Sequence, residues 1–189
     1  MPLEWLIPAI LVVLGLWIAL THVRLSGMRR AAIATWDPLE MLLRQRHDLV
    51  APLIQLVLAH LPKQKKLTDT LLQARNAALG ADLSPDATGR AELHLATAMQ
   101  RVLDLERTHP ELGAELTFRR IRASFEELDA EIALAGEAFN EAALCYNRAA
   151  VSIPAILVVK YAGLHLLEYF AVLAEEREAL RQASLSRAP

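Results

Sequence analysis

The chain has 189 residues with a formal net charge of −2 and a pI near 6.3, so it lacks the basic balance of a nucleic-acid-binding module, and no nucleic-acid partner is expected. Hydrophobic residues make up 54 % but aromatics only 5 %; Ala and Leu carry the excess, which favours helix over sheet. The single cysteine, Cys145, excludes an internal disulfide and cannot alone make a zinc site.

Residues 1–4 form a short N-terminus. From Trp5 to Val23, nineteen residues carry no charged side chain. As a helix they span about 28 Å, close to the hydrocarbon thickness of a bilayer, which predicts a transmembrane helix over 5–23. Pro8 and Gly15 are compatible with a spanning helix, and Trp5 stands where an interfacial aromatic belongs. A cleaved signal peptide is the weaker reading, because Glu4 stands where Lys or Arg is wanted and no small-x-small site follows. Arg24, Arg29 and Arg30 follow the span. They place the N-terminus outside and the body in the cytoplasm.

Asp37-Pro38-Leu39-Glu40 has the form of a helix start with a capping box, although a kink in a helix leaving the membrane fits the same residues. Trp36, Leu39, Leu43, Val50, Ile54, Val57 and Leu61 then share one face of a helix over 38–61, bent near Pro52. A second amphipathic helix, 65–79, turns Leu67, Leu71, Leu72 and Ala78 inward, and residues 80–89, rich in Gly, Ser, Asp and Pro, predict a loop. A third helix, 90–107, buries Leu95, Ala98, Met99, Val102 and Leu105. No strand-like alternation is present.

The dominant signal is the fourth helix, 112–153. Phe118, Phe125, Ile132, Phe139, Tyr146 and Ile153 recur every seven residues, followed at three by Ile121, Leu128, Ala135, Ala142 and Ala149. All eleven positions are apolar, which predicts a rod of about 54 Å from 118 to 153 buried along one stripe against other helices. Pro154 then breaks the helix. Beyond it, Lys160 divides the apolar run, leaving it too short for a second span. It predicts a buried or partner-facing helix through 173, with an interfacial membrane helix as the alternative. Glu175 to Pro189 form a charged tail. The fold class is therefore all-α: an N-terminal transmembrane helix, an antiparallel bundle of about four long helices over 24–154, and a C-terminal helical extension with its tail over 155–189.

These residues resemble the LemA family of single-span bacterial membrane proteins. Its double Tyr-Asn motif stands here as Phe139-Asn140 and Tyr146-Asn147, and its Phe-Pro as Ile153-Pro154. Trp36, the Arg46-x-Asp48-Leu49 run, Ala74-Arg75 and Pro110-Glu111-Leu112 match further positions. The chain departs from the pattern at Pro52, displaced by one residue, and at Gly136-Glu137, which replace a basic pair. The resemblance implies membrane-associated assembly more than catalysis.

Asn140 and Asn147 could read a ligand, but amides at a seam more commonly fix helix register. Arg46 falls on the apolar face and is expected to pair with a carboxylate of the fourth helix; Asp48 is read as a structural partner. His165 and Glu168 have bundle metal-site spacing, yet the second half of such a site is missing, so no metal, cofactor or catalytic residue is assigned. The sequence reads as a non-enzymatic interaction or assembly module at the bacterial inner membrane. Its partners are the lipid bilayer and other membrane proteins or further copies, met through a face formed by Val158, Tyr161, His165 and Tyr169. Alternatives are a regulator or sensor of a membrane protease or transporter, and a hydrolase or metal enzyme on a bundle scaffold.

Overall fold

The computed structural model describes residues 3–80 and 84–170, with side chains from residue 8 onward. The Trp5 side chain, expected as an interfacial anchor, and the tail from Glu175 lie outside what is described. Every regular element among the described residues is helical: α1 (Leu3–Ala34), α2 (Trp36–His60), α3 (Lys65–Ala78), α4 (Pro85–Leu103), α5 (Pro110–Ala114), α6 (Leu116–Val151) and α7 (Ala155–Ala162), with 3-10 turns at Pro62–Gln64 and Asp104–Arg107. The expected all-α class, with a long apolar N-terminal helix ahead of a helical bundle, is what the chain forms.

The described residues divide into two compact units, one of residues 3–35 together with 139–167, the other of residues 36–80 and 84–138 together with 168–170. The second unit is the bundle. Its core takes Val50, Leu53 and Val57 from α2, Leu71 and Ala78 from α3, Leu95, Met99 and Val102 from α4, Leu112 from α5, and Phe118, Ile121 and Phe125 from α6. Fully burying side chains of this size stabilises by about 1.5–3 kcal/mol each before the entropy of ordering them is counted.

Two local readings of this unit change. The stretch 80–89 is not all loop: α4 already begins at Pro85, where Ser84 caps the helix by accepting a hydrogen bond from the Ala87 amide at 3.4 Å and Pro85 supplies a preset first turn. The inward face of α3 is Thr68, Leu71 and Ala78, while Leu72 is exposed. Arg75 belongs to the same stripe and donates from Nε to the His47 carbonyl at 3.0 Å. A polar residue at a buried position had shifted the apparent face by one residue.

The expected rod over 112–153 is divided near its start. Glu115, in extended conformation, separates α5 from α6, and α6 then runs unbroken to Val151. Its buried positions are 118, 121, 125, 128, 132, 136, 139, 143, 146 and 150. The first seam holds through Tyr146, but the second moves one residue later after Leu128, from the expected 135, 142 and 149 to Gly136, Ala143 and Ala150. A straight α-helix drifts by about 20° per heptad against a strict seven-residue repeat, and a step of four in place of three absorbs that drift. Ile153, the last expected seam residue, lies past the end of α6 and is 91 % exposed.

In the other unit, Tyr146 and Ala150 of α6, Leu25 of α1 and Ala155 of α7 form a smaller core, flanked by Met28, Ala149, Val159, Leu164 and Leu167. Pro154 interrupts the helix as expected, and the chain turns by 102° into α7. The helix expected through 173 stops at Ala162. Gly163 adopts φ 65°, a left-handed conformation that costs glycine little, and the Leu164 amide closes back onto the Val159 carbonyl at 3.2 Å. Residues 164–170 carry no regular secondary structure.

Candidate functional site

Among the described residues, charge is buried at one place in the bundle. Arg46 and His47 on α2 and Glu92 on α4 are 2 %, 5 % and 1 % exposed. Glu92 falls on the stripe that also carries Leu95, Met99 and Val102, so the helix that builds the core carries a carboxylate inward with it. His47 Nε2 lies 2.6 Å from Glu92 Oε1, and Arg46 Nε lies 3.6 Å from Glu92 Oε2. On its other side Arg46 Nη1 donates to Asp129 Oδ1 of α6 at 3.2 Å, so one guanidinium ties α2 to two helices. The expected pairing of Arg46 with a carboxylate of the long helix is therefore present. The deeper partner, Glu92, lay hidden in the sequence as one more charge on an amphipathic helix.

The cluster is not saturated. Arg46 Nη2, His47 Nδ1 and Glu92 Oε2 have no hydrogen-bond partner among the described residues. Buried ion pairs must recover a desolvation cost of several kcal/mol per charge through geometry, and orphaned polar atoms add to it. Next to the cluster opens a cleft of about 510 Å³ bordered by Trp36, Leu43, Arg44, His47, Leu79 and Glu92. Trp36 meets Phe170 edge-on, with ring centroids 5.8 Å apart at 76°. An imidazole against a carboxylate is the pair used in proton transfer. Here, however, both are almost wholly enclosed and held by each other, by Arg46 and by the main-chain contact from Arg75. That arrangement suits holding three helices in register.

The remaining residues singled out from the sequence do not converge on this place. Asp48 is exposed, because it sits one residue past the inward pair. Phe139, Asn140, Tyr146, Asn147 and Pro154 belong to the other unit. Phe139 is buried and Asn140 half-buried. The Tyr146 hydroxyl donates to the His165 carbonyl at 3.0 Å, and burial pushes that phenol above its ordinary pKa, with Arg29 pulling the other way. Asn147 Nδ2 donates to the Leu167 carbonyl at 2.8 Å while its Oδ1 accepts the Leu167 amide at 2.9 Å. The two residues thus hold the non-helical segment after Gly163.

The expected face of Val158, Tyr161, His165 and Tyr169 does not exist as a helix face. Val158 is buried, Tyr161 is 86 % exposed, and His165 and Tyr169 lie beyond the end of α7. The His165 and Glu168 spacing likewise loses its meaning outside a helix, and no group of three or more His, Cys, Asp or Glu able to hold a metal occurs among the described residues.

The helices, the buried cross-helix charges and the long apolar first helix define a helical-bundle protein with, among the described residues, one helix long and apolar enough to cross a membrane, or two if α6 and α7 count as one bent span. The LemA family model matches residues 35–183, and the chain belongs to that family. No curated protein sequence matches the chain.

Proposed function

We propose that this protein is a single-pass, membrane-anchored bundle at the bacterial inner membrane, with its N-terminus outside and its body in the cytoplasm. In this reading it acts without catalysis, as an interaction or assembly module for other membrane proteins or further copies of itself. The observation that carries the reading is the first helix. Ile10, Leu11, Val12, Val13, Leu16 and Leu20 are each at least 59 % exposed. Apolar side chains bare on every side of a helix have no stable place in water, whereas a bilayer of about 30 Å accepts them. Arg24, Arg29 and Arg30 after the span support the cytoplasmic side for the body, by the excess of basic residues on that side of membranes. The closed charge cluster supports a structural rather than catalytic role for His47 and Glu92.

The test is a topology reporter fused after Pro189 and, separately, before Met1. Cytoplasmic signal from the first, periplasmic signal from the second and retention in the membrane after alkaline extraction are expected. A periplasmic C-terminal signal overturns the orientation, and release into the soluble fraction overturns the anchor. For the interaction role, photocrosslinkers at the exposed Met41 and Leu134 in intact cells should trap one integral membrane protein or a second copy. Adducts to neither at both positions overturn it.

A further inference from the structure

The corner between α6 and α7 exposes more apolar surface than a water-facing loop tolerates. Val151, Ile153, Ile156, Leu157 and Tyr161 are 51 %, 91 %, 46 %, 57 % and 86 % exposed, within eleven residues. The same short helix packs against α1, with Val158 6 % exposed beneath it. Together they enclose a groove of about 740 Å³ lined by Leu14, Trp17 and Ile18 from α1 and by Leu157, Tyr161 and Ala162 from α7. Its α1 wall reaches from Leu14 to Val23, the last residue before Arg24. At 1.5 Å per residue that wall is about 13 Å deep, measured inward from the first basic residue.

We propose that α7 and the corner before it form a second membrane contact, lying in the same leaflet that α1 leaves, with phospholipid acyl chains filling the groove. The inference rests on α1 being the membrane anchor. If α1 spans the bilayer, residues 14–23 lie in hydrocarbon, and a helix packed against them is carried to that depth. Interfacial helices bury their apolar faces about 5–10 Å into the headgroup and acyl boundary, a depth the 13 Å wall accommodates. The groove walls are continuous with the bare apolar flank of α1, so lipid reaches them without any opening motion. Lys160 is exposed among these apolar neighbours and long enough to lift its ammonium to the phosphates, while Arg24, Arg30 and Arg148 are exposed and cationic as well. Tyr161, largely bare, has the apolar body and polar tip that favour this boundary.

The experiment is spin-label depth measurement on the full chain in phosphatidylethanolamine and phosphatidylglycerol vesicles. Cys145, which is exposed, is replaced by Ser. Single nitroxides are then attached at I10C in the span, at I156C and L157C on α7, and at L72C on the bundle, each variant matching the parent in circular dichroism. Collisions with oxygen relative to a water-soluble nickel chelate should be several-fold higher at 10, 156 and 157 than at 72. Nickel accessibility at 156 and 157 equal to that at 72, with 10 still oxygen-favoured, overturns the second contact and leaves the anchor standing. Protection of 156 and 157 from both reagents overturns it in favour of a protein cover, such as a second copy. Nickel access at 10 as well defeats the anchor, and this proposal with it.

Discussion

The side-chain amide of Asn147 makes both hydrogen bonds that a neighbouring strand would offer to Leu167, accepting its N–H at 2.9 Å and donating to its carbonyl at 2.8 Å. The preceding residue on the same helix, Tyr146, is 0 % exposed and donates to the His165 carbonyl. A non-helical segment has no ladder of its own, so its backbone groups must be paired from outside if they leave water. The adjacent Tyr and Asn of the second family motif supply that pairing.

Replacing Asn147 by Ala should therefore loosen residues 164–167 specifically. The expected cost is about 1–3 kcal/mol, the penalty for leaving partly buried backbone groups unpaired. Asn147→Asp keeps the acceptor for the Leu167 amide but sets an anionic oxygen against the Leu167 carbonyl. Amide hydrogen exchange is the readout: the Leu167 amide should exchange faster in the Ala variant than in the Asp variant, with α2 to α4 unaffected in both. Equal protection in all three proteins would contradict the pairing.

The buried charges make an ordered prediction. Glu92→Gln removes the one carboxylate that faces both Arg46 and His47, and breaking a buried pair from one side costs about 3–5 kcal/mol. Asp129 is 43 % exposed at its side chain, so Asp129→Asn should cost only about 0–1 kcal/mol. Replacing Arg46 by Met together with Glu92→Gln should recover part of the loss, since neither buried charge then remains uncompensated. Urea denaturation midpoints of the parent and the three variants check the order; an Asp129 effect as large as that of Glu92 would refute it.

How far the sequence carried depends on whether a signal repeats. The apolar first helix, the all-α class and the first seam of α6 each rest on many residues, so one exception such as Ile153 barely disturbs them. The membership suggested by Tyr146-Asn147, Trp36 and Arg46 also stands. Single-residue events were harder to see. Glu92 is charged, and from sequence a charge on an amphipathic helix belongs to water; only its position in line with Leu95 and Met99 hinted otherwise. Gly163 ended α7 because one residue can take φ 65°, while the apolar run around it continued and disguised the stop. Asn147 was legible as a polar residue beside a seam, but its partner is a segment brought back by the turn at Pro154, which no periodicity describes.

The displaced second seam can be tested by adding volume. Ala143 is 0 % exposed, whereas Ala142, the position a strict heptad would bury, is only half-buried. Ala143→Leu forces extra methylenes into filled space and should destabilise by about 1–3 kcal/mol. Ala142→Leu should stay within about 0.5 kcal/mol of the parent, as substitutions away from packed positions usually do. Thermal melts of the two variants decide it, and the reverse order would restore the strict repeat.

Tyr146 gives the alkaline prediction. Its phenol is held above the ordinary value of 10.0 chiefly by burial, so the folded state keeps this proton at a pH where the unfolded chain releases it. Below pH 10.0 both states are protonated and the contribution of the neutral, buried phenol is fully present. As the pH rises from 10.0 through the raised folded value, that contribution is lost, because ionisation favours the unfolded chain. Tyr146→Phe removes the proton and with it this part of the slope, at the expense of the hydrogen bond to His165, about 0.5–1.5 kcal/mol at neutral pH. Denaturant unfolding between pH 9 and 11.5 should show parent stability falling toward that of the Phe variant. Parallel curves across the range would mean that Tyr146 ionises as readily in the folded protein as in the unfolded one.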